Sequence, residues 1–394
     1  MNTNPQKQMN TLRFGNVRSL ENFIELGVYI TLVCNFCILF GNSQGYDVLV
    51  SWPTRLMVSY VILLGVVLCV NRLMSSRVSI TDTWYVVMAV FAALCFVLNG
   101  KLSEVVSYMC FLMLPTCLVL YKRVEHVKRL KNAIYIANMG YVLLFVVLSR
   151  ASNSHYAYGA FGIEVVDELT LGYKNANETA IYLMLSYWIM IISLFDAKRW
   201  LMKLIRLACS GILGYMLWQT GSRICIILAV AATLLFLVRR FFTVKRALRT
   251  VIILMPLVTF LVVLLFHEKI ETMTLMDEAL DTGRFGLYQN FVSHLRVRNV
   301  AFGNGISGNL HNSYISVAAT YGFPVAIMYI ELLHSGLREI EKNNKVCRIY
   351  GAYLGVLMVI AHGVAEGTLL TAGAVYAGLA GLLFVLARPE EETE

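Results

Sequence analysis

Three short stretches carry side chains whose chemistry stands apart from their apolar surroundings. Thr220-Gly221-Ser222 leads into Arg223, Thr282-Gly283 leads into Arg284, and a turn-rich Gly303–Gly308 is soon followed by His311-Asn312-Ser313-Tyr314. An arginine holds a permanent charge and a fork of donors that matches phosphate oxygens. Gly221 permits close approach and Ser222 adds a donor, so this arginine suits anion binding. The competing reading is that an arginine at a helix end simply snorkels toward water. His311 titrates near neutrality and, between a flexible turn and capping residues, is placed for acid–base work, unless it is a solvated loop residue.

Other chemistries find no residues to carry them. Gly303-Asn304-Gly305 lacks the lysine of a phosphate-cradling loop, and His267-Glu268 has no histidine at the spacing of a zinc protease helix. No aspartates stand two apart to hold the divalent metal of a nucleotide-sugar site, and Ser186 and Ser193 have no identifiable histidine or lysine partner for intramembrane proteolysis. The sequence therefore calls for no metal and no cofactor.

The elements that must position these residues are apolar throughout. Of 394 residues, 58% are hydrophobic and only 14% charged, with mean hydropathy +0.67. Soluble domains carry roughly 45–50% apolar and 25% charged residues, so an ordinary globular enzyme is excluded. The expected class is an all-α polytopic membrane protein with about twelve spans. They fall near 23–40, 53–70, 83–98, 105–121, 133–149, 176–195, 204–218, 224–238, 251–266, 313–333, 349–365 and 369–387. The chain then divides into five amino-terminal helices (1–149), a loop (150–174), four helices (175–266), a large loop (267–312), and three helices with an acidic tail (313–394).

Charge sets the orientation. Alternate loops, with the amino terminus and Arg388, collect 24 of the 33 Lys and Arg residues, and the positive-inside rule makes that side cytoplasmic, with both termini inside. The net charge of +9 is accordingly a topology signal and not a nucleic-acid footprint. Trp52, Trp84, Trp200 and Trp218 near segment ends fit an interfacial belt. Arg223, Arg284 and His311 all fall on the outer side, where the rule disfavours cations. In 284–295, Phe285, Tyr288, Phe291, Val292 and Leu295 recur at helical spacing, which predicts a short amphipathic helix on the membrane surface, over a cavity, or plugging the outer face.

At these residues the chain resembles the bacterial O-antigen polymerase and ligase family. Thr220-Gly221-Ser222-Arg223 is similar to that family's T-G-S-R turn, and Thr282-Gly283-Arg284 to the arginine opening its large periplasmic loop. His311-Asn312-Ser313-Tyr314-Ile315, followed by Tyr321-Gly322-Phe323-Pro324, is similar to its H-N-S-y-l segment and later G-x-x-G. Pro324 and Val325 depart from the second glycine. Asn177 resembles an asparagine in the preceding half. The likeness spans roughly residues 170–335.

The resemblance implies a GT-C-like, metal-independent glycosyltransferase of the bacterial cytoplasmic membrane with an undecaprenyl-pyrophosphate-linked oligosaccharide as donor. It implies His311 as general base, Arg223 and Arg284 on the pyrophosphate, and Thr220, Ser222, Asn177, Asn312 and Tyr314 as substrate contacts. Membrane lipid, a chain-length regulator and a flippase would be its partners. Three functions share these features: a polysaccharide polymerase, a ligase moving finished glycan to lipid A core or another terminal acceptor, and a lipid-linked oligosaccharide flippase. The charge-poor span centres speak against the last, and the polymerase is the preferred expectation.

Overall fold

The computed structural model describes residues 17–74, 79–100, 104–149, 169–173, 176–240, 249–258, 274–275, 278–279, 295–305, 312–343, 345–366 and 374–390, with 261, 265, 287, 291, 293 and 310. Among the described residues the regular structure is helical apart from a two-residue antiparallel pairing of Thr274–Leu275 with Glu278–Ala279. In order the helices are α1 (Val17–Gln44), α2 (Asp47–Met74), α3 (Ile80–Asn99), α4 (Val105–Cys110), α5 (Met113–Tyr121) and α6 (Val127–Ser149). There follow α7 (Ala176–Asp196), α8 (Trp200–Gln219), α9 (Arg223–Leu237), α10 (Arg249–Val258), α11 (Val297–Phe302) and α12 (Ser313–Tyr321). The last are α13 (Phe323–Glu341), α14 (Cys347–Ala365) and α15 (Ala374–Leu386).

Among the described residues seven helices are long and apolar enough to cross a membrane: most of α1 and α2, with α3, α6, α7, α8 and α14. At 1.5 Å rise per residue, about 20 residues are needed for the hydrocarbon thickness. A polytopic membrane protein follows. α14 has 94% of its apolar window buried and α8 only 22%, so α14 is the axis and α8 a peripheral helix with a lipid-facing surface. α5, buried at all nine residues, fills the centre beside α15 and α2. Trp52 and Trp200, near helix starts, are 65% and 72% exposed, and Trp84 and Trp218 are also exposed.

Two apolar segments expected as single helices are broken. Segment 105–121 divides at Phe111-Leu112 into α4 and α5. Segment 313–333 divides at Gly322, which has φ +89 and ψ +163, a region that in practice only glycine occupies. A Cβ there would strike the carbonyl of Ala301, and one at Gly303 (φ +69) would strike that of Thr320. Each glycine thus lets the other's chain approach backbone to backbone, and Asn304 N donates to Ala319 O at 2.7 Å across the seam. Pro324 lies in the first turn of α13, where its missing N–H has no helical partner to lose, so the departure from a second glycine leaves the bend at Gly322. The amphipathic helix expected over 284–295 falls mostly outside the described residues; Leu287, Phe291 and Ser293 within it are helical.

The basic loops gather at one end of the bundle. Arg123 and Lys122 pair with buried Asp82 at the start of α3, and His126 meets Glu25 of α1. Lys131 of α6 bridges Asp196 at 2.7 Å and Glu390 at 2.5 Å, while Arg348 donates to the carbonyls of Leu386 and Arg388 at 2.6 and 2.7 Å. The opposite end, where α7 and α9 begin and α14 stops, carries Asn177, Thr220–Arg223 and Asn312–Tyr314 and is termed the site end.

Candidate functional site

The turn between α8 and α9 is built from its four residues. Thr220 closes α8 by donating its hydroxyl to Leu217 O at 2.7 Å, and its oxygen receives Ser222 N at 3.4 Å. Gly221, with φ +64, reverses the chain, and Ser222 in extended conformation starts α9. Thr220 and Ser222 are 1% and 3% exposed, and the Ser222 hydroxyl lies against the Cys225 thiol one turn into α9. Arg223, the first residue of α9, is exposed.

The segment before α7 is tied to that turn. Leu169 N donates to Gln219 O at 3.0 Å, and the Thr179 hydroxyl donates to Thr170 O. Gly172 (φ +83) packs so closely on Asn42 and Ser43 of α1 that a Cβ would not fit. These contacts bring the start of α7, with half-buried Asn177, to the same end as Thr220–Arg223. Tyr173 stacks obliquely on Tyr182, which meets Tyr376 of α15 edge-on at 4.7 Å. Burial pushes the Tyr173 phenol above its ordinary range, so it is neutral at working pH.

The third stretch is fastened to α14. Asn312 caps α12, its Oδ1 accepting from Tyr314 N and Ile315 N at 3.0 Å each, while Nδ2 donates to Val364 O at 2.8 Å. Ser313 donates its hydroxyl to Glu366 O at 2.7 Å, and Tyr314 to Ile360 O at 2.9 Å. Three consecutive side chains therefore grip the end of α14, where the Val364 carbonyl is one of the last four, which have no partner within a helix. Asn312 is fully buried and Tyr314 nearly so. Sequence reasoning placed both as substrate contacts; in the structure their polar side-chain atoms are engaged within the protein. Arg284 and His311 themselves lie outside the described residues.

The structure thus brings Asn177, Thr220, Ser222, Arg223, Asn312 and Tyr314 to one end of the bundle, around the end of α14. Two further residues stand there: Glu366, 3% exposed beyond the last turn of α14, and His362, fully buried one turn below. A comparison with protein-family models returns no match, and a comparison with the curated proteins returns none either.

Replacing Asn312 with alanine tests the grip. Loss of the cap costs about 0.5–2 kcal/mol, and the Val364 carbonyl left without its donor adds roughly 1–3 kcal/mol. The purified variant is expected to unfold several degrees below the wild type in detergent, and an unchanged midpoint would show that the three side chains do not hold α12 to α14.

Proposed function

We propose that the protein is a polymerase of a cell-surface polysaccharide, working on the outer face of the bacterial cytoplasmic membrane with about twelve GT-C-like spans and both termini inside. The observation that carries the reading is the gathering of three separate motif stretches at one end. The segment before α7, which leads to Asn177, is bonded to the end of α8 next to the turn that carries Arg223, and the capped start of α12 grips the end of α14 at the same end of the bundle. The concentration of basic residues and their ion pairs at the opposite end supports placing this end outside.

In this reading the donor is a growing glycan on undecaprenyl pyrophosphate and the acceptor is the next lipid-linked repeat unit. His311 takes the proton from an acceptor hydroxyl as its oxygen attacks the anomeric carbon. The bond from that carbon to the pyrophosphate oxygen breaks, its electron pair leaves with undecaprenyl pyrophosphate, and the anomeric centre inverts. Arg223 and Arg284 hold the pyrophosphate oxygens as negative charge grows on them, which is the charge a metal would otherwise neutralise. Thr220 and Ser222 shape the turn that presents Arg223. Asn312 and Tyr314 position the base by anchoring its neighbour residues.

Deleting the gene in its host and examining the surface glycan tests the assignment. A polymerase loss leaves single repeat units on the final acceptor. Long polymer stranded on the lipid carrier would make the protein a ligase, and unchanged surface glycan would overturn both.

A further inference from the structure

Among the described residues, His362 is a fully buried histidine, and neither of its ring nitrogens has a hydrogen-bond partner in the protein. A neutral imidazole presents one N–H donor and one lone pair, and buried polar atoms are nearly always satisfied. Its place in the bundle follows from packing. On α14, a Cβ at Gly351 would meet Ile192 of α7 and Phe236 of α9, and one at Gly355 would meet Trp188 of α7 and Leu383 of α15. Seven residues make two helical turns, so His362 lies on this same stripe, two turns beyond Gly355 toward the site end. The three neighbouring helices run antiparallel to α14, and the register brings His362 level with Tyr182, Cys225 and Tyr376. The edge-on contact of Tyr182 with Tyr376 marks the same level.

One turn nearer the end stand Glu366, just past α14, and Ser222, whose buried hydroxyl lies against the Cys225 thiol. The unpaired His362 and the buried Ser222 therefore lie in succession beneath Arg223, while the Ile360 and Val364 carbonyls on the other face of α14 are taken by Tyr314 and Asn312. Each nitrogen needs its own partner, and a hydroxyl, which both donates and accepts, meets either the N–H or the lone pair of a neutral imidazole, where an anion meets only the first and a cation only the second.

We propose that His362, with Ser222, forms a hydroxyl-binding floor beneath the arginine of the site, and that it takes a sugar hydroxyl of the lipid-linked glycan. Water has the same chemistry and is the competing occupant. The inference rests on the glycosyl-transfer reading and names the part of the substrate held at this depth.

The test uses purified full-length protein, thermal unfolding, and two probes: undecaprenyl pyrophosphate and the undecaprenyl-pyrophosphate-linked repeat unit extracted from the host. Both are expected to raise the wild-type midpoint, the glycan-bearing lipid further. His362→Phe fills the ring's space and removes both nitrogens, so the ligand-free variant should unfold at the wild-type temperature or above it. It should keep the shift given by undecaprenyl pyrophosphate and lose the extra shift given by the glycan. Its kcat/KM should fall roughly tenfold or more, through KM, and His362→Gln, which keeps a donor and an acceptor, should recover part of that loss. An extra shift that survives in His362→Phe would show that only water sits there, overturning the inference while the functional reading stands. Equal shifts from the two lipids in the wild type would do the same. No shift from either lipid would overturn the functional reading and this inference with it. Should His362→Phe fail to insert, Ser222→Ala serves instead, and an unchanged extra shift in that variant would overturn the proposal.

Discussion

His311→Gln is expected to leave a folded, membrane-inserted protein whose rate of polymer formation falls on the order of 10²–10⁴-fold. The acceptor hydroxyl has an intrinsic pKa far above neutrality, so without a base its oxygen attacks the anomeric carbon as a poor nucleophile. Glutamine keeps a hydrogen-bonding side chain of similar reach but takes no proton at working pH. Folding should be spared, because the contacts that fix this stretch come from Asn312, Ser313 and Tyr314 and reach the carbonyls of Val364, Glu366 and Ile360. The measurement is polymer formation by purified protein from a lipid-linked repeat unit across pH 5 to 9. The wild-type rate should fall toward acid pH as the imidazole is protonated, and the residual rate of the variant should lose that limb. A variant with near-wild-type turnover and the same profile would remove His311 from the mechanism.

Arg223→Lys and Arg284→Lys should each lower kcat/KM by roughly 10- to 100-fold while insertion is kept. Lysine retains the charge and loses the planar fork, so the loss separates two-point contact with phosphate oxygens from bulk attraction. Arg223 is well set for this comparison. It opens α9 directly after a turn whose shape is fixed by Thr220 and Gly221, so a change at 223 leaves the turn's own hydrogen bonds in place. Arg296 and Arg298 serve as controls. Arg298 donates to Asn99 Oδ1 at 3.2 Å and Arg296 precedes the short helix α11, both outside the gathered motifs. Lysine should be tolerated at both. Equal activity for lysine and arginine at 223 and 284 would reduce those arginines to helix-end anchors.

Much of the architecture is legible in the order of the residues. Long apolar runs announce their own helices, and the Lys and Arg count of the loops anticipates the end at which Lys122, Arg123, Lys131 and Arg348 meet their partners. Breaks inside apolar runs are harder to see. Hydropathy sums side chains and is blind to backbone direction, so Phe111-Leu112 and Gly322 pass as interior positions. Tyr321-Gly322-Phe323-Pro324 does hold a signal, since a glycine two residues before a proline suits one helix ending and another beginning. The role of Asn312 is ambiguous for a different reason: a cap and a ligand contact call for the same side chain, and only the contact with α14 separates them. Hydropathy alone puts His362 near the outer end of its segment. That its nitrogens are unpaired depends on packing from α7, α9 and α15, which lie outside the segment that holds it, and no local pattern encodes that.

The two ends of the bundle are fastened by different physics. At the basic end, Lys131, Arg348 and Glu390 hold α6, α14 and the residues after α15 by charge. At the site end, α12 is held to α14 by neutral hydrogen bonds from an amide and two hydroxyls. Dissolved ions screen the first kind over a Debye length of about 8 Å at physiological strength and scarcely touch the second. Ionic strength therefore acts on this protein as a one-sided solvent variable: brine slackens the tail and its neighbours while the far pole keeps its shape. The same division leaves the clamp of α12 on α14 insensitive to ionic strength and concentrates that sensitivity in the ion pairs of the basic end.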